Sequence, residues 1–212
     1  MTWPTHRQYS ITFAFIANMV LYKTGLTQIN YYLALAILLL VSKHGALFPD
    51  VDHSWKNVKE KTVPNWIINK LIHITGGKHR SWQTHSIDIT IISSIILFFL
   101  PKILFNYGII SDVNREVMSI ILVGFCAGWI SHIISDMLTS AGVRLICFLK
   151  IKVAFVPNHI FGFKFNTGHE WEEFCYKMAR VINIALGIVC IVYPLILNRT
   201  FLELYNKIIN LL

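Results

Sequence analysis

Charge is what this chain has least of. Only 14% of its 212 residues are Asp, Glu, Lys or Arg, against about 25% in an ordinary soluble domain. With 55% hydrophobic residues and a mean hydropathy of +0.56, a disordered chain is excluded. The same numbers argue against a soluble globule and for an integral membrane protein. Acid is scarcer than base, at 11 against 19, a net charge of +8. There is no dense Lys/Arg run and no nucleic-acid-binding motif, so the excess reads as membrane topology and no nucleic-acid partner is expected. The four cysteines, Cys126, Cys147, Cys175 and Cys190, include no C-x-x-C pair. No disulfide framework is implied, and the thiols read as free. The opening residues lack the basic-then-apolar start of a cleaved signal, so the first apolar stretch is expected to stay in the mature protein. Internal repeats and low-complexity segments are also lacking.

What is present is a set of apolar runs. A membrane-crossing helix needs about 20 mostly apolar residues. Five stretches approach that length: about 9–24, 30–48, 86–105, 117–139 and 179–198. A last stretch, 201–212, reads as a short amphipathic tail. The expected fold is all-α and polytopic, one membrane-embedded domain over 1–212 with about five spans. Two connections, 49–85 and 140–178, are long and polar. Within the first, 64–75 has the pattern of an interfacial helix, with Trp66 as anchor and Ile67, Ile68, Leu71 and Ile72 as its apolar face. With five spans, fourteen of the nineteen Lys and Arg fall at the N-terminus and on or beside the two long connections. That bias places the N-terminus and both connections in the cytoplasm, in a multi-pass protein.

Four polar motifs fall on that same side. Pro49-Asp50-Val51-Asp52-His53 follows the second run and offers oxygen and nitrogen ligands together; a solvated, helix-capping loop is the alternative. His79-Arg80-Ser81-Trp82-Gln83-Thr84-His85-Ser86 leads into the third run. Its Arg suits a phosphate or carboxylate through a bidentate fork, or serves as an interfacial anchor. His132 and Asp136 lie four residues apart on one helix face. Such a pair inside an apolar helix is costly, hence a functional hypothesis, with a helix-joining hydrogen bond as the alternative. His6, beside Thr5, is the weakest signal. Together they put His6, Asp50, Asp52, His53, His79, His85, His132 and Asp136 at one membrane face. Eight candidate ligands exceed the needs of one zinc, so two divalent ions are expected, Zn²⁺ first, with Mn²⁺ or Fe²⁺ also suited. Arg80, His6 and Asp52 are the candidate catalytic residues. His169, Glu170, Glu172 and Glu173 read as a solvated helix start. Asp88 is a candidate to orient His85, with ordinary helix polarity as the alternative.

At these residues the chain resembles the YdjM-like family, described as LexA-regulated, membrane-bound metal-dependent hydrolases. The matching pieces are Thr5-His6, Leu47 to His53, His79-Arg80 with Thr84-His85-Ser86, and Ser131 to Thr139 with Gly142-Val143. Gly168, Glu172 and Phe174 match more weakly. The family pattern H-R-G-x-T-H-S is one residue longer here and lacks the Gly. The resemblance implies a membrane-embedded metal-dependent hydrolase of a bacterial inner membrane. The H-x-x-x-D element is also distantly similar to that of zinc phospholipases C and P1-type nucleases, which cleave phosphoesters. The leading expectation is hydrolysis of a lipid or lipid-linked phosphoester, with the bilayer and that substrate as partners. A metal-ion transporter or sensor could use the same residues. A metal-free lipid phosphatase would need cations upstream of His132, and 117–131 has none. A structural membrane protein with a stabilising metal stays open.

Overall fold

The computed structural model describes residues 1–149, 151–156, 159–160, 163–164 and 167–197. Its elements run α1 (Trp3–Thr24), α2 (Tyr31–Leu47), a 3-10 turn (Pro49–Asp52), α3 (Val63–Ile74), α4 (Trp82–His85), α5 (Ile87–Asn106), α6 (Asp112–Met137) and α7 (Glu170–Leu197). Between α6 and α7 lie two antiparallel pairs of two-residue strands, β1 (Val143–Arg144) with β2 (Lys152–Val153) and β3 (His159–Ile160) with β4 (Phe163–Lys164). The fold is all-α, and the stretch 201–212 lies outside the described residues.

Local chemistry sets the helix ends. Asn30 caps α2 by accepting from the Tyr32 and Leu33 amides, and Ser111 caps α6 by accepting from Asn114. Pro4 fits the first turn of α1, and Gly25 ends it at φ 65°, a conformation that glycine adopts without steric cost. Among the described residues, four segments are long and apolar enough to cross a membrane: Tyr31–Asp52, Ile87–Asn106, Asp112–Met137 and Glu170–Pro194. The protein is thus a multi-pass membrane protein. The expected first span, 9–24, lies within α1, which is less apolar than those four but packs along α2, α6 and α7.

Helix α6 is central, against α1, α2 and α5. Half of its most apolar window is buried, against 11% for α5 and 17% for α7, which leaves those two helices on the lipid-facing periphery. Helices α2 and α6 come close because small residues face each other. A side chain at Gly45 would overlap the Phe125 carbonyl, and one at Gly128 the Ser42 carbonyl. Ala14, Leu21, Ala34, Leu38 and Ile120 fill the interior at mid-length. Toward the end carrying the polar motifs, Trp129, Ile133, Met137 and Val143 form a second cluster, with Phe48 and Phe125 on its edge.

The interfacial stretch is a helix, α3, with a different division of its faces. Ile72 is buried, whereas Val63, Trp66, Ile67, Leu71 and Ile74 are exposed. The inward face is anchored by Asn69, whose amide donates to the carbonyls of Val51 (2.6 Å) and His53 (2.8 Å).

Candidate metal centre

Four pieces of backbone converge at the end of the bundle: the first turns of α1, the 3-10 turn after α2 with His53 behind it, the stretch from the α3–α4 connection through α4, and the end of α6. Seven of the eight ligands expected from the sequence meet there. They form three groups whose ligand atoms lie within 4.8 Å of one another: His6, His132 and Asp136; Asp50, His85 and His132; Asp50, His53 and His79. His132 joins the first two groups and Asp50 the last two. The rings follow the same chain of neighbours. His6 stacks on His132 at 3.8 Å between centroids, His85 meets His132 edge-on at 5.1 Å, and His53 stacks on His79 at 3.5 Å.

Hydrogen bonds fix which ring nitrogens are available. A carbonyl or carboxylate oxygen can only accept, so a ring nitrogen bonded to it carries the proton. His132 Nδ1 donates to the Ala46 carbonyl at 2.7 Å, a contact that the close α2–α6 approach makes possible. His85 Nδ1 donates to Asp52 Oδ2 at 3.0 Å, and His79 Nδ1 to Asp52 Oδ1 at 3.1 Å. In the neutral form of each ring, the Nε2 lone pair is then left free. Those of His85 and His132 face each other at 3.2 Å. Two facing lone pairs repel unless a proton or another cation lies between them. This donor set, neutral imidazole with carboxylate, suits a borderline divalent ion.

Asp52 is the eighth expected ligand, and it sits apart from the three groups. It is fully buried, and its two oxygens are taken by His79, His85, the Ser81 amide (3.0 Å) and the Thr84 hydroxyl (2.8 Å). It stands behind two imidazoles and sets their tautomer and aim, as carboxylates behind metal-binding histidines do. Asp88, the candidate to orient His85, instead accepts from the Cys147 amide at 2.9 Å.

Asp136 is the most cation-rich carboxylate. The Met1 amino nitrogen lies 2.5 Å from Oδ1, and Arg80 Nη2 lies 3.4 Å from Oδ2. His6 belongs to α1 itself, not to the residues before it. It bonds Ser135 Oγ through Nδ1 (2.6 Å) and the Met1 carbonyl through Nε2 (2.9 Å). His53 is half-buried, and burial together with the neighbouring His79 lowers its pKa below the ordinary 6.5. It therefore stays neutral to lower pH than a free histidine.

Arg80 is a non-glycine residue at φ 59°, a left-handed conformation that costs energy in any residue with a side chain. It lines a cavity of about 460 Å³ with His6, Asp50, His53, His79 and Asp136, with Lys59 at the rim.

Sequence reading put Glu172, a piece of the weaker family match, in a solvated helix start. Glu170 and Glu173 are exposed, as a solvated helix start should be, but Glu172 is buried. Its Oε1 accepts from the Thr2 amide, the Thr2 hydroxyl (2.6 Å) and the Thr5 hydroxyl (2.9 Å), and its Oε2 from the Gly168 amide (2.7 Å). It ties the residues on either side of Trp3-Pro4, and so His6, to α7. The available signal was the four-fold spacing of Gly168 and Glu172, which only a fold can distinguish from a solvated acidic turn.

A family model described as YdjM inner membrane protein matches residues 1–203. The chain belongs to the YdjM family. All eight residues of the centre of this YdjM-family chain fall inside the match. No curated protein and no solved structure matches the chain.

Proposed function

We propose that this chain is a membrane-bound metal-dependent hydrolase that cleaves a phosphoester of a lipid or lipid-linked substrate at the cytoplasmic leaflet. The main support is the His85–His132 pair: both Nδ1 atoms are committed to acceptors and both Nε2 atoms converge at 3.2 Å. An arrangement built only to join helices would satisfy those nitrogens separately. His6, Asp50, His53, His79, His85, His132 and Asp136 would hold two divalent ions. A bound ion of the Zn²⁺, Mn²⁺ or Fe²⁺ type supplies Lewis acidity and makes water acidic enough to act near pH ~7.

The chain's own groups do the rest. Asp52 keeps His79 and His85 in the Nδ1–H form, so that their Nε2 atoms stay ligands. The Arg80 guanidinium, a quarter exposed and 3.4 Å from Asp136, swings to a phosphate oxygen and balances charge as it builds there. His6 is either one of these ligands or, from its place between Ser135 and the cavity, the group that moves a proton to or from that space. Transport is disfavoured by the apolar layer of Ala14, Leu38 and Ile120, which fills the interior beneath the cluster.

Elemental analysis of detergent-purified protein beside Asp136→Ala tests the metal centre. Two tightly held transition-metal ions in the wild type and fewer in the variant are expected. A folded sample that takes up no Zn²⁺ or Mn²⁺ overturns it. Release of headgroup phosphate from mixed lipid phosphoesters tests the chemistry. Arg80→Ala should cut turnover by about 100-fold or more with metal content retained. Metal flux in proteoliposomes without hydrolysis would assign the cluster to transport instead.

A further inference from the structure

Helix α3 is packed on one face only. Asn69 and Ile72 point inward, against the 3-10 turn. On the opposite face, Val63, Trp66, Ile67, Leu71 and Ile74 recur at the spacing of one helical stripe and are 46–79% exposed. A twelve-residue helix with five large apolar side chains turned outward is poorly suited to water. The charge around it has one sign. Lys56, Lys59, Lys61, Lys70 and Lys78 are exposed, and none of them is ion-paired among the described residues. The nearby acids are already engaged: Glu60 bonds His44 at 2.9 Å, and Asp52 is enclosed by the histidines. Lys70 extends along the stripe, its Nζ 5.9 Å from the Trp66 ring centroid. This is how a lysine sends its head to water while its stem lies on apolar surface.

We infer that α3 is an in-plane docking helix for an anionic lipid surface, with its apolar stripe at the acyl boundary and its lysines on lipid phosphates. Position supports the lipid over any other occupant. The 3-10 turn that α3 grips closes the membrane-crossing segment Tyr31–Asp52, so α3 begins at the depth where that segment leaves the bilayer. The lysines match the negative charge of such a leaflet, and each adds on the order of fivefold to the docking equilibrium. Asn69 links docking to the centre, since it holds the Val51 and His53 carbonyls on either side of Asp52. The inference does not depend on the hydrolase reading, because it requires no chemistry at the cluster.

The test uses the full chain in lipid nanodiscs of phosphatidylcholine, with and without phosphatidylglycerol. The emission of Trp66 is isolated as the difference between wild type and Trp66→Phe. Lipids brominated near the carbonyl end of the chain should quench that difference at least about twofold in the anionic discs, and less in the neutral ones. Leu71→Glu, on the exposed stripe and remote from the cluster, should abolish the quenching while metal content stays the same. An unquenched Trp66 in anionic discs overturns the inference. Equal quenching in neutral discs overturns its anionic part. Quenching unchanged by Leu71→Glu overturns the role of the stripe. If the Trp66 of discs holding one chain is quenched no more than in water and becomes shielded only in discs holding two, the face is a contact between copies, and the lipid assignment fails.

Discussion

At the scale of single residues, the centre separates groups that would touch a metal from groups that aim them. Asp52 is the clearest case. Asp52→Asn keeps the size of the side chain and removes its charge, and one of its two atoms becomes a donor facing an imidazole N–H. Metal stoichiometry should survive, and affinity should fall about 10- to 100-fold, as for other carboxylates behind metal-binding histidines. Competition with a chelator of known affinity measures this, and a loss of one whole ion would make Asp52 a ligand after all. Protons compete for the same nitrogens. His53 has a lowered pKa, so its group stays neutral and able to bind as pH falls through the ordinary histidine value of about 6.5. The folded state resists the proton that an unfolded chain would accept, so this residue adds nothing above about 6.5 and costs stability increasingly below it. Metal affinity should therefore be flat above neutrality and fall as acid finally protonates the imidazoles. Titration of bound Zn²⁺ from pH 8 to 5 checks the direction; affinity rising into acid would contradict it. The ligand types were readable from the sequence because Asp and His in an apolar chain are costly and therefore informative. Asp52 and Asp50 are separated by one residue and look alike in sequence. Only the 3-10 turn, which points them in different directions, gives one to the cluster and the other to its support.

At the scale of elements, the apolar runs predicted the helices well, and the errors lie where a helix continues past its apolar part. The run 179–198 became Glu170–Leu197, because the polar first turns of α7 are stabilised by Glu172 gripping the N-terminal segment. The run 117–139 became Asp112–Met137, because Ser111 caps a polar turn that hydropathy alone excludes. The run 9–24 became Trp3–Thr24, which carries His6 into the helix. Hydropathy finds what faces lipid and is blind to helix that faces protein. It was equally blind to Gly45 and Gly128, whose missing side chains let α2 and α6 approach until Ala46 reaches His132. Gly128→Val should push the two helices apart. Overpacking of this kind costs about 1–3 kcal/mol, and here it should also release His132 Nδ1 and lower metal occupancy. Leu38→Val, in the apolar layer at mid-length, removes one methylene and should cost about 1 kcal/mol without touching occupancy. Metal analysis of both variants in the same detergent separates a register effect on the site from a general loss of stability.

At the scale of the whole molecule, the centre draws its groups from α1, the turn after α2, the stretch from the α3–α4 connection into α4, and the end of α6. Helices α1, α2 and α6 have a shared apolar core, but the connection from Asn57 to Ser81 is held mainly by Asn69 and by the polar groups around Asp52. An ion shared between Asp50, His53 and His79 would fasten that connection to the bundle. One shared between His6, His132 and Asp136 would fasten α1 to α6. Binding of this kind stabilises the folded state by mass action, roughly 2.7 kcal/mol at a free-ion concentration 100 times Kd. The unfolding temperature in detergent should therefore rise with added Zn²⁺ and fall on chelation, and the increment should shrink in Asp136→Ala. The effect should be local as well as global. On chelation, hydrogen exchange should increase in 49–85 and in the first turns of α1 far more than in the middle of α6, where Ile120 and Leu38 hold the packing without any ion. Equal loss of protection throughout would mean that the ion serves the bundle as a whole. No change anywhere would mean that the histidine cluster is a polar joint between helices that needs no metal.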